Sequence, residues 1–293
     1  MKTANSGNPP SPPSPPARSI VTATLILLVS ALATKAFGQS IAVAQCGGAC
    51  PVYESIVSAR QSSIVIHHLY AAGIDGFTAL PNWVAYGLNA DAAGVASLLP
   101  RNWKRDRLLK YSSLEDFEAE DDEIRLSESI TRNNSPYGGG GMAQMEPEDR
   151  VRLAPMTSFA NTPYWSELNK LSNMLPMPAA LRLGPWLQLE QRLNRLVAAE
   201  GEVYVVAGPV FLINQLSLSP ALADSDPAAY FKLVANDSGT VAFLFPKDTN
   251  QFGNLCASTT TLAELQGLTG LRFFPGRSRT GASRSLLSKL GCP

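Results

Sequence analysis

A single apolar run near the N-terminus constrains this chain more than any other feature. Ile20 to Ala33 is uncharged and apolar over about 14 residues, too short to span a bilayer comfortably and the length of a signal h-region. Lys2 and Arg18 precede it around a Pro-rich stretch, and Ala36-Phe37-Gly38 places small residues where a signal peptidase needs them. Residues 1–38 therefore read as a signal peptide with a Pro-rich n-region, cut before Gln39, and the competing reading is an uncleaved anchor. No later segment is apolar enough to span, so the mature chain is expected in a secreted or periplasmic compartment.

Export changes the meaning of the cysteines. Cys46, Cys50, Cys256 and Cys292 all lie beyond the run, and an even number in an oxidising compartment favours disulfides. Three pairings are open at this level. A metal site at Cys46 and Cys50 fits poorly, because Gly47, Gly48 and Ala49 offer no ligands and no His is near. The whole chain balances 24 basic against 24 acidic residues; without Lys2, Arg18 and Lys35 it carries 21 against 24. That excludes a generally basic nucleic-acid binder and requires any such site to be a local patch.

The rest reads as one domain, residues 39–293, of α+β class. Ser63–Tyr70 has strand character, and Pro81–Leu88 reads as its partner across a Gly/Asp turn. Acidic residues from Glu115 to Glu128 and the Asn/Gly-rich stretch to Gly141 form a loop-like insertion near 115–147. A helix is expected over Tyr164–Met174. A second, from Pro185 to about Ala199, gathers Trp186, Leu189, Leu193, Leu196 and Val197 on one face. Val203–Phe211 and Thr240–Phe245 are two more strands. Thr261 to Glu264 is a capping box for a short helix that Gly267 or Gly270 ends.

Asp149-Arg150-Val151-Arg152-Leu153-Ala154-Pro155 resembles the Asp-Arg-Gly-His-x-Ala-Pro box of the DNA/RNA non-specific endonucleases. Asn169-Lys170-Leu171-Ser172-Asn173-Met174-Leu175-Pro176 is similar to that family's N-x-L-S-N-x-x-P. Gly184-Pro185-Trp186 with Leu189-Glu190, Val203 to Pro209, and Leu268-Thr269-Gly270-Leu271 follow in order, with Trp83 to Tyr86 and Arg101 to Lys104 upstream. The likeness runs collinearly from about Cys46 to Cys292, nearest to the secreted bacterial, sugar-non-specific members. It implies a ββα-metal fold with a central antiparallel sheet, Cys46–Cys50 and Cys256–Cys292 bridges, a DNA or RNA backbone as partner and, as in many secreted relatives, a homodimer.

The resemblance also implies a chemistry that this sequence does not carry intact. In the family a His activates water, an Asn holds one Mg²⁺, a Glu on the long helix orients the metal's water shell, and arginines hold the phosphate. Here the His position is Arg152 and the Asn position is Arg182. A guanidinium stays protonated and has no lone pair to offer water or Mg²⁺. Val151, Met177 and Asn194 are further departures. Arg150, Arg101, Glu190, Asn169, Asn173 and Asp149 match, with Arg101, Arg150 and Asn173 in substrate-binding places and Glu190 beside the lost metal ligand. Activity is thus expected to be greatly reduced or absent, and the alternative is a non-catalytic nucleic-acid- or polyanion-binding protein. Arg152 and Arg182 could instead fill the old site by pairing with Glu190 or the acidic insertion, or a rearranged site could retain some catalysis. His67 and His68, the only histidines, sit on an early strand whose alternation points one of them inward, and they do not read as a replacement base. Arg272, Arg277, Arg279, Arg284 and Lys289 make a basic C-terminal stretch, read as phosphate contacts or as a soluble tail.

Overall fold

Strands here have to be apolar on both sides, because the central sheet is covered on both faces. In the computed structural model, seven antiparallel strands run in the order β12-β11-β10-β9-β4-β3-β2. They are β2 (Ser62–Ile66), β3 (Ala71–Asp75), β4 (Pro81–Leu88), β9 (Val203–Val210), β10 (Ala229–Asn236), β11 (Gly239–Pro246) and β12 (Thr259–Thr260). The structure describes residues 10, 42–55, 62–76, 80–104, 106–109, 117–120, 123–126, 150–211, 227–275 and 281–293. Residues 1–38 apart from Pro10, most of the acidic and Gly-rich insertion, Asp149, Arg277 and Arg279 lie outside them. Among the described residues no helix is long and apolar enough to cross a membrane.

Period-two alternation divides each central strand between two cores. Val84, Tyr86, Leu88, Val203, Val205, Tyr230 and Val234 enter one, which also takes the long helix. Trp83, Ala85, Val206, Phe231, Leu233 and Ala235 enter the other, with Leu265, Leu271, Phe273 and Phe274. The long helix is α2 (Leu187–Glu200), after a single turn α1 (Ala179–Leu181); Leu189, Leu193, Leu196 and Val197 bury its inner face. On the opposite side, β1 (Val52–Tyr53) pairs with β13 (Leu271–Arg272), just after α3 (Leu262–Thr269). Thr261 caps α3 by accepting from the Glu264 N–H, and Gly270 ends it at φ 64°. The Glu264 carboxylate accepts from Thr260 rather than closing the box. α4 (Arg284–Lys289) closes the chain, and both disulfides, Cys46–Cys50 and Cys256–Cys292, are formed as the resemblance implied.

Five elements differ from the sequence reading. The stretch between the first two expected strands is itself a strand, β3, so β4 pairs with β3 and β9, not with β2. Its glycine is there for packing: a Cβ at Gly73 would fall 2.2 Å from Trp83 Nε1. The first strand ends at Ile66, leaving His67 and His68 in the turn that follows. Tyr164–Met174 is no α-helix. It forms 3₁₀ turns at Trp165–Asn169 and Leu171–Asn173 and then β8 (Met174–Pro176), because Asn173 hydrogen-bonds backbone groups that a helix would use itself. Finally, the acidic insertion contains a hairpin, β5 (Phe117–Glu120) with β6 (Glu123–Leu126), and strand β10 went unread because Lys232 interrupts its apolar run.

Candidate functional site

The site is built where β7 (Arg150–Arg152) pairs with β8, Arg150 opposite Pro176 and Arg152 opposite Met174. Alternation buries Val151 and puts Arg150 and Arg152, both half-buried, on the other face. Arg152 is held on three sides. Its Nε and Nη2 donate to Asn169 Oδ1 at 2.9 and 2.7 Å, and Nη2 also donates to the Arg101 carbonyl at 2.6 Å. Its Cζ lies 4.2 Å from the centre of the Trp103 ring, a cation–π contact. Asn169 is itself fixed, donating to the Pro100 carbonyl at 2.9 Å. All these holders are neutral, and among the described residues no carboxylate pairs with Arg152.

The positive charge there is therefore crowded. Burial first, then the charges of Arg101 and Arg182, pull the Arg152 guanidinium down to about 10. Arg182 stands in the wide turn Arg182–Trp186 that leads into α2, and its Nε is buried without a hydrogen-bond partner among the described residues. Arg101 is exposed. Three of the four predicted arginines thus act on one another, and Arg150 shares the strand face with one of them.

The other predicted residues are not part of that cluster. Glu190 takes a bond from Lys232 Nζ at 2.9 Å, and Lys232 is fully buried, 4.0 Å over the Trp186 ring. Burial lowers the Lys232 pKa, and Glu190 opposes the shift. Asn173 is fully buried, with its carboxamide bonded to the Ala154 N–H and to the Ala154 and Leu168 carbonyls. It staples β7 to the 3₁₀ turns instead of facing a ligand. Asn194 ties α2 to the turn after β7, accepting from Ser158 at 2.6 Å.

A second polar cluster was not anticipated. His67 Nε2 lies 2.7 Å from the buried Asp106 carboxylate, which also accepts from Ser172, and Tyr70 OH is 2.7 Å from Ser172 Oγ. Burial opposes ionisation of Asp106, but the bonds from His67 and Ser172 outweigh it and hold the carboxyl below its usual range. With Lys104 bridging backbone to Asn169 and Leu171, this cluster fastens the strip that carries Arg101 and Trp103 to the turns that carry Asn169. His68 is exposed, stacked on Tyr164 and paired with Glu167 at 2.8 Å. The available signals were small: Asp106 follows Arg101-Asn102-Trp103-Lys104, and Lys232 is a lone cation in an apolar strand.

The family model for DNA/RNA non-specific endonucleases matches residues 52–280. A nuclease of Serratia marcescens is 30% identical over 220 residues, covering 72% of this chain and 75% of that protein. A chain from the crystal structure of the EndoG/EndoGI complex superposes with a TM-score of 0.53 at 18% identity, covering 73% of this chain and 86% of that one. That last likeness is one of fold, and it is the ββα-metal nuclease fold. The chain belongs to the DNA/RNA non-specific endonuclease family.

Proposed function

We propose that this family member grips nucleic-acid phosphates with guanidinium groups alone and hydrolyses phosphodiesters orders of magnitude more slowly than an intact site would. The observation that carries the reading is the Arg152 cage, in which neutral acceptors and an indole hold a cation that neighbouring arginines repel. Had Arg152 merely filled the old site, a carboxylate partner would be expected. Glu190, the nearest candidate by sequence, is engaged by Lys232. An arginine cluster in which Arg152 meets no carboxylate among the described residues is a site for an anion, and Arg suits phosphate because it can present paired N–H groups.

The same residues do not supply the chemistry. At about 10, Arg152 is deprotonated in only about one part in a thousand at neutral pH, so it is no base for water. Loss of a general base typically costs about 10²–10⁴-fold. The donor set does not fit Mg²⁺ either: Arg182 offers a cation where an oxygen is needed, and the Glu190 carboxylate is bonded to Lys232. What remains for Arg101, Arg152 and Arg182 is to bind and orient a phosphate backbone without reading its sequence. Two formed disulfides and the signal-like N-terminus support an oxidising, extracytoplasmic location.

The test is plasmid nicking with and without Mg²⁺, run beside a DNA titration in EDTA at low salt. The reading expects little nicking in either condition and binding that survives the chelator. Binding that disappears in EDTA, or brisk Mg²⁺-dependent nicking, contradicts it.

A further inference from the structure

On a turn packed against the segment that follows Arg182, the molecule displays an aromatic side chain that is largely exposed. Phe252 is 90% exposed, although buried phenylalanines make up much of both cores. It is presented by a tight turn after β11. Thr249 N–H and Oγ1 both donate to the Pro246 carbonyl, at 3.0 and 2.6 Å. Phe252 N–H donates to Asn250 Oδ1 at 2.8 Å, and Gly253 N–H to the Asn250 carbonyl at 2.9 Å. The far end is anchored by Asn254 capping the turn at Cys256, which is disulfide-bonded to Cys292.

The turn rests on the segment that carries Arg182. A Cβ at Gly184 would fall 2.4 Å from the Gln251 carbonyl oxygen and 2.7 Å from its Cα, so the backbone beside Phe252 lies directly on Gly184. Gly253, on the other side, faces Pro185. Any side chain at position 184 would push the turn away. Leu183, between Arg182 and Gly184, is 49% exposed.

From this juxtaposition we infer that Phe252 is a stacking platform for an unpaired nucleobase, next to the site where Arg182 and Arg152 hold the backbone phosphate. This rests on the phosphate-binding reading and adds to it a substrate class: single-stranded or locally unpaired nucleic acid in preference to intact duplex. An aromatic face beside a positive track is the arrangement that holds single strands without sequence choice, since every base has a π-face. In a duplex those faces are covered by neighbouring bases, so a ring at a loop tip has nothing to stack on. Charge complementarity selects nucleic acid over a protein partner, because the cluster beside Phe252 is cationic and among the described residues no carboxylate neutralises Arg152.

The experiment compares the exported protein with its Phe252→Ala and Phe252→Trp variants in EDTA. Fluorescence anisotropy measures affinity for an oligothymidylate and for an abasic deoxyribose-phosphate oligomer of the same length. Phe252→Ala should weaken oligothymidylate binding roughly 5- to 150-fold and leave the abasic oligomer unaffected. Phe252→Trp should bind both as the wild type does, with added indole emission that oligothymidylate quenches and the abasic oligomer does not. Equal affinity of wild type and Phe252→Ala for both oligomers overturns the stacking site while leaving the phosphate reading standing. Failure of the wild type to bind either oligomer overturns both. A change in oligomeric state on Phe252→Ala, with oligomer affinities intact, also overturns the proposal and assigns the ring to contact between copies.

Discussion

The charged groups on α2 and on β7 resolve the same electrostatic problem in opposite ways. On α2, Glu190 keeps its charge by pairing with Lys232, a fully buried cation stacked on Trp186. On β7, Arg152 has among the described residues only neutral holders, Asn169, Trp103 and a carbonyl, while Arg101 and Arg182 press on it. The first arrangement is closed, since each ion satisfies the other and little is left for a ligand. The second is open, since its surplus charge is relieved only by something that arrives. What a site can bind thus follows less from how many charged residues it holds than from which of them the fold has already neutralised.

The largest effect should come from converting the open half back toward chemistry. Arg152→His restores a group that titrates near neutrality, and Arg182→Asn restores an oxygen ligand and removes the cation that excludes Mg²⁺. Because residues acting as a unit are not additive, neither single change should suffice. The double variant should gain Mg²⁺-dependent plasmid cleavage at least ~10²-fold above both singles. A folded but inactive double variant would mean that the Glu190–Lys232 pair, or the changes at Val151, Met177 and Asn194, has closed the site beyond a two-residue repair.

Breaking the closed half should cost stability instead. Lys232→Met leaves a buried carboxylate without its partner, and urea unfolding should show a loss of about 3–5 kcal/mol. An unchanged midpoint would mean that the pair is not buried as described. Removing the Cys256–Cys292 bridge, which closes a loop of 36 residues between the end of the Phe252 turn and the C-terminus, should cost about 3–4 kcal/mol. Thiol titration of the unfolded, unreduced protein should give none, and a count of two would remove this bridge or the other. Arg152→Gln should move stability least, by under ~1 kcal/mol, because it relieves like-charge repulsion while leaving a donor for Asn169. A large loss there would show that Arg152 is a buried structural ion like Lys232, and the contrast between the halves would collapse.

Much of this was legible from the residues. The face of α2 was readable because a 3.6-residue period is a property of one segment, and β4, β9 and β11 because their apolar runs are bounded by turn residues. Arg152 and Arg182 stood out only against the family's pattern. β3 was hidden because Gly73 and Gly76 look like turn residues, whereas Gly73 makes room for Trp83 on the next strand. The 3₁₀ turns were hidden because Asn169 and Asn173 exert their effect through space, on Arg152 and on the Ala154 backbone. The Glu190–Lys232 pair joins residues 42 apart in sequence, and His67–Asp106 joins residues 39 apart. Period and propensity are local, and the ion pairing that decides which charges remain available is not.

The central claim is that the β7 arginines and Arg182 meet phosphate directly. The dependence of duplex DNA affinity on salt, measured in EDTA, tests it without relying on catalysis. Each phosphate contact contributes about 0.9 to the slope of log affinity against log salt concentration. The account predicts that Arg152→Gln with Arg182→Gln lowers that slope by roughly 1 to 2 and weakens binding evenly across sequences. An unchanged slope in the double variant, with binding intact, would contradict it.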